Sequence, residues 1–273
     1  MKTPTRRKIE VRAVRPNAGI QAAYRKALLA QIELMHNSLE YWLAAQYRAN
    51  PPAMDAPDGG IGSILTGSSA TAMSRQMKRL GRRWLKNFDR AAERLALWFS
   101  QKAINRSQEQ LQRILRDGGV SVKFQMTEAA RNAYEAVRAE NVGLIRSIAQ
   151  QHLTQVEGIV MRSVAAGRDL ATASRELQAQ FGVTKRRAAL IARDQNNKAT
   201  AVITKVRQRE LGITHARWQH SHAGKHPRKS HLDFDGQVYD IEKGAYLDGK
   251  WVWPGTEINC RCVSKSIIEG FIE

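Results

Sequence analysis

Cysteine is nearly missing from this sequence: Cys260 and Cys262 are the two in 273 residues. Two cannot build a disulfide framework, and a bridge across a single intervening residue would be strained. The expectation is a chain made and kept in a reducing cytoplasm. Acidic residues are also scarce, 25 against 44 Lys and Arg, for a net charge of +19. No run of eighteen apolar residues occurs, so no membrane span is expected. The segment from Met1 to Lys8 is basic but lacks the apolar stretch of a secretion signal. Walker loops, GxGxxG, HExxH and the nucleophile elbow are missing too, which removes the commonest sequence warrants for an enzyme. What remains is an ordinary globular composition, 42% hydrophobic and 25% charged, long enough for one or two domains with a sizeable core.

The charge is unevenly spread. From His215 onward eight basic residues balance eight acidic ones, so the whole excess lies in the first 214 residues. That tail holds five of the seven histidines, both cysteines and three of the six tryptophans. A surplus well beyond what solubility needs predicts salt-sensitive attraction to polyanions such as double-stranded DNA, through its phosphates.

Residues 1–17 read as a basic flexible arm. Ile20, Tyr24, Leu28, Ile32, Met35, Leu39 and Trp42 then recur every three or four positions, the spacing of one long amphipathic helix ended by Asn50-Pro51-Pro52. Residues 51–68 read as a loop. A second apolar stripe runs through Met73, Met77, Leu80, Trp84, Phe88, Ala91, Leu95 and Trp98. Its opposite face carries Arg75, Lys78, Arg79, Arg82, Arg83, Lys86 and Arg90. The helix continues to Asp117 and stops at Gly118-Gly119. Val120, Val122, Phe124 and Met126 alternate like a short strand. Another helix is expected from 127 to about 165, a short one to Gln180, and a separate start at Gly182 and Thr184. Helix 184–210 is basic again, with Lys185, Arg186, Arg187, Arg193, Lys198, Lys205, Arg207 and Arg209. Beyond Gly212 the pattern turns to strands, with Asp248-Gly249 as a tight hairpin turn. The fold class is therefore mainly α: long amphipathic basic helices, then a small α+β C-terminal part with short strands and loops.

The tail carries the residues with chemistry. His220, His222, His226 and His231 fall within twelve residues, followed by Asp235-Gly236 and later by Asn259-Cys260-Arg261-Cys262. Imidazole and thiolate are zinc's preferred ligands. A zinc set would join Cys260, Cys262 and His231 with one of His220, His222 or His226. The spacing matches no standard finger, so the alternative is that the cysteines are reduced core residues and the histidines bridge loops. A metal-dependent nuclease centred on His231 and Asp235 is a further alternative. Gly236 is expected to supply a positive-φ turn, Asp235 and Asn259 to bond loop backbone, and Arg261 to pair with Asp233 or Asp235.

The same residues carry a resemblance. Ile191-Ala192-Arg193-Asp194-Gln195 leads to a strand with Trp218. Pro227-Arg228, His231 and Asp235-Gly236 follow, and Pro254-Gly255 precedes Ile258-Asn259-Cys260-Arg261-Cys262. In that order they resemble the phage Mu protein F-like family of minor head, or head morphogenesis, proteins of tailed bacteriophages and prophages, over roughly residues 140 to 268. Many members carry Thr-Glu after the Ala-Arg of the helix, where Asp194-Gln195 stands here, so no role of that glutamate transfers. The resemblance implies a low-copy virion component and supplies no catalytic residue; the chain is expected not to be an enzyme and to need no cofactor beyond the zinc considered above. It would be built in near the portal vertex during assembly in the host cytoplasm, in contact with the portal or major head protein and close to packaged DNA. The expected division is the arm over 1–17, a helical region over 18–126, the helical basic part of the head-morphogenesis domain over 127–212, and its strand- and loop-rich part over 213–273. DNA would be met by Arg75, Lys78, Arg79, Arg82, Arg83 and Lys86, and by Lys185, Arg186 and Arg187.

Overall fold

A computed structural model describes residues 7–49, 67–166, 170–224 and 226–271. Among the described residues four long helices lie between the first strand and the rest of a small sheet: α1 (Ala18–Ala49), α2 (Gly67–Asp117), α3 (Glu128–Ala165) and α4 (Leu170–Glu210). The strands are β1 (Arg7–Glu10), β2 (His215–Gln219), β3 (Val238–Asp240), β4 (Ala245–Leu247), β5 (Lys250–Val252) and β6 (Val263–Phe271). A one-turn helix, α5 (Lys229–Asp233), lies between β2 and β3. The sheet is antiparallel in the order β1-β6-β2-β3, and β4-β5 form a separate hairpin. No helix of the described residues is long and apolar enough to cross a membrane. The mainly helical class with a small C-terminal sheet is as the patterning implies.

Several boundaries differ from the sequence expectation. The arm is not flexible over residues 7–14: Arg7–Glu10 pair with β6, and Val11 N–H donates to Ser266 O at 3.0 Å. Ile9, Val11, Ala13 and Val14 carry an apolar pattern that the surrounding charges obscure. Val11 and Val14 are buried against Leu111, Ile114 and Leu115. Lys8 pairs with Glu269 at 2.6 Å. Residues 120–126 are not a strand. Val120, Val122 and Phe124 alternate because they lay one side of an extended, unpaired segment on that same cluster. The break expected at Gly182–Thr184 does not occur, since α4 is continuous; Thr184 turns its hydroxyl back to Gln180 O at 3.0 Å instead of capping a new helix. Trp42 is partly exposed, and Leu43 takes the core position in that turn of α1. Most of the expected loop over 51–68 lies outside the described residues, and its last two residues already belong to α2.

The chain forms two compact units that cut across the expected consecutive segments. The first comprises residues 1–24, 96–141 and 190–273; the second comprises 25–95 and 142–189. In the second, Leu28, Ile32, Met35 and Leu39 of α1, and Met73, Met77, Leu80, Trp84 and Phe88 of α2, are buried, as their spacing predicts. In the first, Trp218 is fully buried at the centre of the sheet's core, with Ala216, Tyr239, Ile241, Val252, Cys260 and Cys262 around it. The turn Asp248-Gly249 has φ of 50° and 78°, the doubly positive geometry of a type I′ hairpin.

Candidate functional site

The sequence features singled out in the tail converge within the first unit. His231 sits on α5, and Cys260 and Cys262 lie on the loop entering β6; all three are buried. His231 Nδ1 is 3.6 Å from Cys260 Sγ and 3.7 Å from Cys262 Sγ. The three ligand-type atoms lie within 4.8 Å of one another.

Each member is held by a different element. Trp218 of β2 packs edge-on against the His231 ring at 5.0 Å between centroids. His231 Nε2 lies 3.0 Å from Glu257 Oε2, and Lys250 also pairs with Glu257. Asn197 of α4 donates to Cys260 O at 2.9 Å, and Asp194 accepts Asn259 N–H at 2.9 Å. Arg193 donates to Asn259 Oδ1 at 2.7 Å, and Arg228 to Ile258 O at 3.0 Å. Gly255 adopts φ +83°, and a Cβ there would come within 3.1 Å of Cys262 O and 3.2 Å of Ala201. Its N–H points at Cys260 Sγ, 3.3 Å away. Glycine is thus required both for the turn and for the close approach.

The electrostatics follow from this crowding. The hydrogen bond from the Cys262 thiol holds the Cys260 thiol far below the ordinary cysteine range, against burial and with help from His231 and the N–H groups of Cys262 and Gly255. Cys262 is driven upward by that same bond, by burial and by the charge on Cys260. The hydrogen bond to Cys260 raises His231 despite burial, and Glu257 adds to it. Burial pushes the Glu257 carboxyl up, but Lys250, Arg228 and His231 outweigh it and leave the group below its usual range. Two sulfurs sharing a proton beside an imidazole and a carboxylate form a concentrated donor set for a soft cation. The buried Trp218 indole N–H has no oxygen or nitrogen acceptor, and it favours the charged form of Cys262.

The other candidates separate. His220 lines a cavity of about 420 Å³ beside the centre, with Arg193, His226, Arg228 and Arg261. Its Nδ1 accepts the His222 N–H at 3.0 Å. His222 is exposed and 2.8 Å from Asp235. Asp235 also accepts His220 N–H at 2.7 Å, so it bonds loop backbone as expected, and Gly236 has the expected positive φ of 77°. The nuclease pair is not assembled: the carboxylate on His231 belongs to Glu257, which the sequence reading missed. Its signal is the Pro254-Gly255-Thr256-Glu257 turn just ahead of the cysteines. Arg261 pairs with neither Asp233 nor Asp235; it donates to Ala223 O at 3.1 Å, while Asp233 holds Lys229 at 2.6 Å. The Asn259 side chain bonds Arg193 rather than loop backbone.

The two expected DNA-contact sets also differ. Arg75, Lys78, Arg79, Arg82, Arg83 and Lys86 of α2 are all exposed. On α4 only Arg186 is. Lys185 is half-buried over the Phe181 ring at 4.1 Å, and Arg187 is half-buried and donates to Ser147 at 2.7 Å.

Comparison with known proteins bears on the tail. The family model described as Phage Mu protein F like protein matches residues 154–265, a span that includes His231, Glu257, Cys260 and Cys262. This match supports the phage Mu protein F-like family to which the tail's motifs point. An uncharacterized protein of Haemophilus influenzae (strain ATCC 51907 / DSM 11121 / KW20 / Rd) is 35% identical over 137 residues, 49% of this chain. The match covers 29% of the length of that relative. No solved structure matches.

Proposed function

We propose that the protein is a minor head protein of a tailed phage or prophage, a low-copy component that acts in procapsid assembly near the portal vertex. The observation that carries this reading is the family match over residues 154–265. Its partners in this reading are the portal and the major head protein, and its place is the head interior. It acts by binding and assembly rather than by catalysis. The test is an amber mutation in its gene within the phage or prophage that encodes it. The expected result is that wild-type particles contain a few copies by mass spectrometry and that the mutant accumulates heads lacking DNA or portal. Full-titre, normally filled heads from the mutant would refute the role.

A second activity, contact with packaged DNA, is favoured by the exposed basic face of α2. Phosphate contacts of this kind need no base readout, and their affinity falls steeply with salt. Unrelated duplexes should bind alike in fluorescence anisotropy, with affinity collapsing as salt rises. Binding that is undiminished at high salt would exclude it.

A further inference from the structure

We propose that His231 Nδ1, Cys260 Sγ and Cys262 Sγ bind one zinc ion, whose fourth position opens to the arginine-lined cavity and is filled from solvent. This inference is independent of the assembly role. With metal–sulfur bonds of about 2.3 Å and metal–nitrogen bonds of about 2.0–2.1 Å, a tetrahedral ion sets its N–S edges at about 3.6 Å. The two observed edges are 3.6 and 3.7 Å. One ring nitrogen equidistant from two sulfurs is poor geometry for a single hydrogen bond, which has one proton to aim. It is the expected geometry for three ligands around a common point.

The surroundings match those of a metal centre. Glu257 on His231 Nε2 is a carboxylate–histidine pair that fixes the ring and leaves Nδ1 facing the sulfurs. The backbone N–H of Gly255 donates to Cys260 Sγ at 3.3 Å, a donor that compensates thiolate charge. Two thiolates and an imidazole select zinc over harder ions. Binding displaces the protons from the two sulfurs and Nδ1 into solvent.

Among the described residues no fourth His, Cys, Asp or Glu joins the cluster. The position left over faces the cavity lined by Arg193, Arg228 and Arg261, whose charge suits water, hydroxide or a small anion such as phosphate.

The test uses the full chain. Metal analysis of protein purified without chelator should give about one zinc per chain. Cobalt substitution should give a thiolate-to-cobalt charge-transfer band and the intense visible bands of a tetrahedral site. Cys260→Ser and Cys262→Ser should each lose the charge-transfer intensity. Because those variants can misfold, Glu257→Gln provides a second handle: it should keep the helical circular dichroism while weakening zinc affinity about 10–100-fold. His222→Ala should leave both unchanged. Titrating the cobalt form with azide or phosphate should shift the visible bands. Folded wild-type protein that takes up neither zinc nor cobalt overturns the site. Bands insensitive to anions but altered by His220→Gln overturn the open position.

Discussion

Two helices look alike in sequence, each with a dense row of Lys and Arg, and the tertiary structure uses them in opposite ways. On α2, Arg75, Lys78, Arg79, Arg82, Arg83, Lys86 and Arg90 stay exposed, with no ion-pair partner among the described residues. On α4 most of the row is engaged within the fold. Arg193 holds Asn259, Lys198 pairs with Glu140 at 2.8 Å, and Lys205 covers the Trp253 ring at 3.2 Å. Arg209 pairs with Glu242. Arg207 is buried, bonded to Glu210 at 2.5 Å and to Gln108 at 2.6 and 3.1 Å, with Phe124 over its guanidinium. A count of positive charges therefore measures potential interaction with a polyanion only after the internally paired ones are removed.

The sharpest break in that contrast is Arg207→Ala. It empties a buried site and takes charge-assisted bonds from Gln108 and from Glu210, which is itself exposed and keeps its bond from Thr127. Hydrogen bonds to charged groups contribute about 1.5–3 kcal/mol each, so a loss of about 3 kcal/mol or more is expected. Urea unfolding should show that loss; a change below about 1 kcal/mol would mean that Arg207 is as dispensable as a surface charge.

Next in size is an acid effect near the other end of α4. Thr184 spends its own proton on Gln180 O, so His152 Nδ1–H donates to it at 2.9 Å, and Nε2 is left bare and buried. Burial, with a smaller push from His36, lowers His152 from 6.5 to about 4. His36 is lowered mainly by burial; Glu40 opposes the shift, Lys185 adds to it, and Gln178 and Phe181 complete the setting. A depressed histidine stays neutral in the fold while the unfolded chain takes up protons. Its contribution is thus complete above about pH 6.5 and is lost as pH falls toward 4. The full loss is roughly 3 kcal/mol, from about 1.36 kcal/mol per pKa unit. His152→Gln should flatten the pH dependence of unfolding in this window; an unchanged slope would reassign the acid sensitivity to other groups.

Arg193→Ala removes one charge-assisted bond to an exposed asparagine, and a cost of about 1–2 kcal/mol is expected. Hydrogen exchange should speed up in residues 258–260 and not in the second unit. The smallest stability effect belongs to α2: Arg79→Ala, Arg82→Ala and Arg83→Ala should each stay within about 0.5 kcal/mol of wild type. The same changes should flatten the plot of log affinity for duplex DNA against log salt by about 0.9 for each phosphate that is no longer neutralised. A stable protein with an unaltered slope would remove α2 from the DNA-binding reading.

Much of the helical body was legible because its information is local. The stripe from Met73 to Phe88 and that from Tyr24 to Leu39 follow from period 3.6 alone, and Asp248-Gly249 follows from turn chemistry. Errors arose where a local pattern had two physical causes. Val120, Val122 and Phe124 alternate as a strand does, but an extended segment lying on a helix cluster needs the same alternation without a ladder partner. Residues 7–14 looked like an arm because their charges outnumber Ile9, Val11 and Val14. Their hydrogen-bonding partner, β6, lies more than 250 residues away in sequence.

The candidate site divides in the same way. Sequence by itself determined the donor inventory, His231, Cys260 and Cys262, because residue type decides what can ligate and spacing decides only what is adjacent. It also determined the family resemblance, which rests on the order of those residues. Only the tertiary structure left His220, His222 and His226 out of the cluster, and put Glu257 rather than Asp235 behind His231. It likewise decided which arginines are internal. Those choices depend on which backbone segments β2, α5 and α4 bring within hydrogen-bonding distance, and long-range packing, not local periodicity, sets those distances.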